Sequence, residues 1–227
     1  MRFVITSVNY ADYLAVTLPA WKAILPKSAL CVATSHGDAE SRRVTADHDV
    51  QCYITDAWTR KDPTSHEGGE PTFNLALGLD ETLGLIDGGP VPAPIAGEIV
   101  GHASADCVPF GTWPDDAVFD DRTVYAFWRY ECLTPKALAE HQTGIRPIAK
   151  FPRLKNTNGA PIGYCQIFRA KPGRRFGSWP TAGKFDTQFT KTFPRSEMLL
   201  DVYLLHLGPI NVRENWAGRV VPQWGAA

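Results

Sequence analysis

The sequence predicts an α/β fold: a mixed, mostly parallel sheet flanked by helices in a single domain. Three observations lead there. Short apolar runs rich in β-branched residues alternate with segments of helical period through the first sixty residues, the pattern of a parallel sheet with crossover helices. Of the 227 residues 44% are hydrophobic and 21% charged, enough apolar material for a proper core. The second half changes character, with aromatic strand-like segments separated by Pro/Gly-rich loops.

Taken in order, "RFVITSV" is a first strand and "ADYLAVTLPAWKAIL" a helix, with Asp12 placed as its N-cap. "SALCVATSHGD" is a second buried strand ending in a polar turn, "AESRRVTADH" a short helix and "VQCYITDAW" a third strand. "TFNLALGLDETLGLI" is an amphipathic helix, and "GGPVPAPIAG" is a connector. "EIVGHASADCVPF" is a fourth strand that breaks into a tight turn. "TVYAFWRYEC" is strand-like, and "TPKALAEHQ" is a helix with Thr134 as N-cap and Pro135 at its first position. After a Pro/Asn/Gly-rich loop over 147–163 come the strand "GYCQIFRA", a basic loop, the helix "FDTQFTKTFP" and the strand "MLLDVYLLHLG". The tail "PINVRENWAGRVVPQWGAA" has little periodicity.

Net charge is −1, which removes the simplest argument for a general nucleic-acid binder, although a local basic patch is compatible with it. The five cysteines (Cys31, Cys52, Cys107, Cys132, Cys165) are odd in number and form no CxxC pair. That spacing argues against a disulfide framework and a structural zinc site, and favours a reducing cytoplasm. The start "MRFVITSVNY" reads as a strand rather than a signal peptide, and no apolar run approaches the ~20 residues of a membrane span. A soluble cytoplasmic protein with no membrane partner is expected. Neither GxGxxG nor GxxxxGK[ST] occurs.

In an open parallel sheet, ligands bind beyond the carboxyl ends of the strands. The polar residues there are Thr6, Ser7 and Asn9, then Ser35 to Asp38, then Asp56, then Ser104 to Asp106. Hard oxygen ligands such as a strand-end aspartate suit Mg²⁺ or Mn²⁺. Read locally, Asp106 serves equally well as an Asx-turn residue, His206 as a core histidine, and Asp186 as a helix cap.

The order of segments resembles the GT-A, Rossmann-type glycosyltransferase fold, family 2-like, and within it a phage-associated group that includes DNA hydroxymethylpyrimidine glycosyltransferases. The matching pieces are "FNLALGLDETL", "SADCVPFG", "GYCQIF", "GKFDTQFTKTFP" and "HLGPINVRENWAGR", so the resemblance covers nearly the whole chain. It implies a nucleotide-sugar-binding half over 1–110, and an acceptor-binding half with the C-terminal tail over 111–227. It implies transfer of a hexose from a UDP-sugar with a divalent metal, Mn²⁺ or Mg²⁺. Asp106 looks like the second acid of the DxD motif and His206 like the late histidine completing the metal site. Asp186 looks like the carboxylate base of an inverting enzyme. Thr6, Asn9, Asp38 and Asp56 look like the nucleotide shell, with Asn74, Ser104 and Arg219 also on the donor. The sequence departs from the family where Ser104 stands for the first acid of DxD, so the motif reads S-A-D.

The resemblance also implies an acceptor, a hydroxymethylated pyrimidine in double-stranded phage DNA, which would put the protein in the infected host's cytoplasm. Local support is "RAKPGRRFGSWPTAGK", cationic without an acid and interleaved with aromatics. Tyr164, Arg174, Arg175, Trp179 and Lys184 are the expected acceptor contacts. Two alternatives stay open: a glycan or small-molecule acceptor, and a catalytically degenerate nucleotide-binding module, which the S-A-D motif favours.

Overall fold

The computed structural model describes residues 1–58, 75–153, 164–177, 185–208 and 224. Eight strands of the described residues form a continuous sheet: β1 (Arg2–Thr6), β2 (Leu30–Thr34), β3 (Gln51–Ile54), β4 (Ile99–Ser104), β5 (Cys107–Gly111), β6 (Thr123–Cys132), β7 (Cys165–Arg169) and β8 (Arg195–Leu207). Their spatial order is β3-β2-β1-β4-β7-β6-β8-β5. β1 is parallel to β2 and β4, β2 to β3, and β6 to β8, while β7 runs against β4 and β6 and β5 against β8. Six strands therefore point one way, and the α/β, mostly parallel sheet expected from the sequence is the one observed.

Helices cover both faces, which is why the strands read as unbroken apolar runs. Side chains alternate along each strand. Phe3, Ile5, Val32, Ala103 and Ile167 join a core with Leu14, Leu18 and Trp21 of α1 (Ala11–Ile24), Val44 of α2 (Ala39–Asp47) and Leu138 of α4 (Pro135–Gln142). Val4, Ala33, Val100 and Phe168 join a second core with Leu79 and Leu83 of α3 (Leu75–Leu83) and Phe189 of α5 (Phe185–Thr190). Burying a large apolar side chain of this kind contributes about 1.5–3 kcal/mol. All five cysteines are free thiols. No helix among the described residues is long and apolar enough to cross a membrane.

Local signals set most of the element ends. Thr134 caps α4 by accepting the Ala137 N–H, with Pro135 at the first position, as the sequence indicates. Two expectations need correction. Asp12 is not the cap of α1: the helix starts at Ala11 after Tyr10, and Asp12 sits in its first turn, accepting the Trp224 N–H through Oδ2. The stretch "EIVGHASADCVPF" is two strands, not one. The chain reverses at Ala105–Asp106, and β5 continues to the far edge of the sheet, paired with β8. Pro109 sits within β5, where an edge strand tolerates its missing N–H.

Candidate functional site

The carboxyl ends of β1, β2, β3, β4, β6 and β8 share one edge of the sheet. There β4 leaves Ser104 in register with Thr6 of β1, and the Ala105 N–H donates to the Thr6 carbonyl. The turn that follows is held from three sides. The α1 side chains Thr17 (2.8 Å) and Trp21 (2.9 Å) donate to the Ala105 and Cys107 carbonyls. The Leu207 N–H donates to the Asp106 carbonyl at 2.7 Å, which docks the end of β8 on the turn. Every buried carbonyl of the turn is thus paired, and the Asp106 carboxylate is fixed in direction.

That carboxylate meets His206. Asp106 Oδ2 and His206 Nε2 lie 3.3 Å apart, both side chains about nine-tenths buried. Burial would raise the Asp106 pKa, but the His206 ring, the Ser104 hydroxyl and the Arg129 cation outweigh it and hold the acid at about 2. Asp106 is therefore an anion at any physiological pH. Ser104, where a second acid was expected, supplies a hydroxyl hydrogen-bonded to Asp106 rather than another charge. The Cys107 thiol donates to Asp106 Oδ1 at 3.5 Å, and burial pushes its pKa well up, so it stays a neutral donor.

The pair suits a divalent cation. One carboxylate oxygen and one imidazole nitrogen stand side by side, a donor set that favours Mn²⁺ over the strictly oxygen-seeking Mg²⁺. No group of three or more His, Cys, Asp or Glu that could hold a metal occurs among the described residues, which therefore offer such a cation at most this pair. The buried His206 Nδ1 has no hydrogen-bond partner among the described residues.

The other expected donor residues are engaged differently. Asp38 caps α2, with Oδ1 accepting the Ser41 N–H at 3.0 Å and Oδ2 accepting the Asn9 N–H and the Thr34 hydroxyl. Both oxygens are committed, and the residue ties the loop after β1 to α2. Asn9 takes the left-handed conformation (φ 59°) that lets its N–H reach Asp38. Thr6 is buried and donates weakly to the Ala103 carbonyl, 3.4 Å away. Asp56 is exposed and pairs with His36 Nε2 at 2.9 Å, a surface contact worth little on its own. Asn74, Trp179, Lys184 and Arg219 lie outside the described residues.

Asp186 is buried at the start of α5, its Oδ1 accepting the Thr187 N–H at 2.6 Å. Gln166 of β7 donates to the Asp186 carbonyl (3.1 Å) and the Thr190 hydroxyl (3.0 Å), with its Oε1 3.4 Å from His102 Nε2. Burial drives His102 down to about pKa 4, so this link is neutral. Asp186 thus belongs to the layer under β4 and β7, anchored two residues back from the edge where Ser104 sits.

The expected acceptor residues that are described, Tyr164, Arg174 and Arg175, do not gather at that edge. Tyr164 is buried, its hydroxyl donating to the Phe127 carbonyl and its ring covered by the Arg129 guanidinium at 4.0 Å, so neither its face nor its hydroxyl is open to a sugar or base. Because β7 is antiparallel, Arg169 emerges level with Ile99, five residues or about 16 Å from Ser104. The basic loop leaves from there. Arg174 stacks on Phe193 at 4.1 Å and donates to the Arg169 and Asp121 carbonyls, and Lys171 pairs with Asp121 at 2.7 Å. Arg175 is exposed. The chain then climbs to α3, where Asp80 accepts the Phe176 and Gly177 N–H groups at 2.7 and 2.8 Å. A cavity of about 310 Å³ lined by Gly84, Pro94, Lys171 and Arg174 also opens at this opposite edge.

Sequence reasoning missed Arg129. It is the only charged residue between Thr123 and Tyr130 in an aromatic strand, and that isolation was the available signal.

No protein-family model matches the chain, and no curated protein matches it. Among solved structures it is similar to the galactosyltransferase LgtC in complex with donor and acceptor sugar analogs, at 12% identity over 98% of this chain and 85% of that one, TM-score 0.39. An active-site mutant of LgtC matches at 15% identity over 83% of this chain and 64% of that one, TM-score 0.40. A mannose-1-phosphate geranyltransferase from Thermus thermophilus matches at 12% identity over 74% of this chain and 56% of that one, TM-score 0.34. Likenesses this distant decide nothing about the chemistry of this chain, which rests on its own residues.

Proposed function

We propose that the protein is a glycosyltransferase that moves a hexose from a nucleotide sugar, a UDP-sugar, to an acceptor hydroxyl. The observation that carries the reading is the meeting of Asp106 and His206 at the carboxyl edge of the sheet, from strands a hundred residues apart. A divalent cation held there would neutralise the diphosphate as it leaves. Asp106 supplies the anionic ligand and His206 the nitrogen, while Ser104 orients Asp106 by its hydroxyl. Thr6 and Asn9 border the same edge and would receive the nucleotide. Asp186 is the candidate base for an inverting transfer. Its anchorage through Gln166 fixes the start of α5 against the sheet.

For the acceptor, a glycan or small hydroxyl compound is better supported than duplex DNA. Arg169, Lys171 and Arg174 of the basic segment are bound to their own protein at the opposite edge.

The test is release of UDP from a panel of UDP-hexoses, with Mn²⁺ and with a chelator. Release should require the metal, and Asp106→Ala should lower it at least a hundredfold without loss of folding. Full activity in Asp106→Ala would make the strand-end acid structural. No release from any donor under either condition would overturn the reading in favour of a nucleotide-binding module.

A further inference from the structure

Arg129 is a half-buried cation that makes no direct ion pair among the described residues. It sits on β6 in register with Leu204 of β8, and Glu131, two residues on, is in register with His206. Alternation along both strands therefore puts Arg129 and His206 on the same face, one diagonal step apart. Its guanidinium lies 4.0 Å from the Tyr164 ring centre. The Tyr164 carbonyl in turn accepts the Ser104 N–H at 2.9 Å, so the cation is stacked on the residue that adjoins the Ser104–Asp106 turn. Its Nε is fully buried without a hydrogen-bond partner, and no carboxylate forms an ion pair with it among the described residues.

Stacking on an aromatic face offsets part of the desolvation of a guanidinium, but satisfies none of its N–H donors. A planar guanidinium fork suits bidentate binding of a phosphate. The charge count at the turn points the same way. An ordinary pair of acids would present two negative charges and depend on a cation to admit any anion. Here Ser104 is neutral and Arg129 balances Asp106, so an anion meets no net repulsion.

We propose that Arg129 is an anion-binding residue of this site that takes a phosphate of the donor diphosphate, so that diphosphate binding persists without a divalent metal. The proposal rests on the nucleotide-sugar reading for the identity of the diphosphate, and on the geometry alone for the anion.

The experiment measures binding of inorganic pyrophosphate, UDP and uridine by calorimetry in the presence of a chelator, for the wild type, Arg129→Gln and Arg129→Lys. The wild type should bind pyrophosphate, and should bind UDP at least tenfold more tightly than uridine. Arg129→Gln should lose pyrophosphate binding and the preference for UDP, while keeping the wild-type affinity for uridine. Arg129→Lys, which keeps the charge and loses the fork, should fall between them and guards against loss of fold. Equal pyrophosphate binding by wild type and Arg129→Gln, or none by the wild type, overturns the proposal. Uridine binding with no pyrophosphate binding defeats the Arg129 proposal and leaves the nucleotide reading standing. Arg129-dependent pyrophosphate binding without UDP preference or uridine binding does the reverse.

Discussion

Replacing Asp106 by Asn tests the electrostatics of the turn without chemistry. The carboxyl is held at about 2, against an ordinary aspartate value of about 3.9 in the unfolded chain. A difference of about two pH units corresponds to about 2–3 kcal/mol of stability at neutral pH. The sign follows from the direction: a depressed folded value means that the contribution is complete above the unfolded pKa and is lost as pH falls through the folded one. About half of it should be gone by pH 3, where the unfolded chain has bound the proton and the folded one has not. Asp106→Asn keeps the shape and removes the titration. Urea unfolding of both proteins at several pH values from 7 to 3 would give a stability difference that shrinks by about 1 kcal/mol over that range. Other carboxylates titrate in both proteins and cancel in the difference. A wild-type and variant pair whose curves stay parallel from pH 7 to pH 3 would refute the argument, because it would mean that His206, Ser104 and Arg129 do not favour the charged form.

Asp80 should behave in the opposite sense. Burial raises its pKa to about 6 despite the two N–H donors it accepts, so its contribution grows as pH falls from about 6 towards 4. The same unfolding series should show that Asp80→Asn lacks this gain, of about 2–3 kcal/mol; an unchanged pH dependence would show that the carboxylate is not desolvated. At Gly78 in α3, a Cβ would overlap the indole of Trp58, which is wholly buried and has no room to retreat. Gly78→Ala should therefore destabilise by about 1–3 kcal/mol, despite the roughly 1 kcal/mol that Ala ordinarily gains over Gly in a helix. A thermal melt at or above the wild-type midpoint would refute the packing.

Much of the fold was legible because the sheet is covered on both faces, so "RFVIT", "LCVAT" and "IVGHAS" appear as apolar runs between helical segments. The reversal after Ser104 was not. "CVPFG" continues the apolar run, and a turn whose carbonyls are satisfied by Thr17 and Trp21, far away in sequence, needs no glycine of its own. Asp38 shows the reverse difficulty. It is expected at the nucleotide, and the structure instead uses both oxygens for backbone and hydroxyl partners.

The partnership of Asp106 with His206 had no local signal, because β5 had to cross to the far edge before β8 could return beside the turn. Once the two meet, the serine at 104 changes meaning. A second carboxylate so close to Asp106 would repel it and push one of the pair towards its neutral form. The Ser104 hydroxyl instead donates to Asp106 and keeps the single acid charged. Arg129, on the same face of the sheet as His206, adds a positive charge beside the turn. If the site takes a diphosphate, a serine at 104 would weaken the hold on a metal and at the same time let a cationic side chain serve the anion directly.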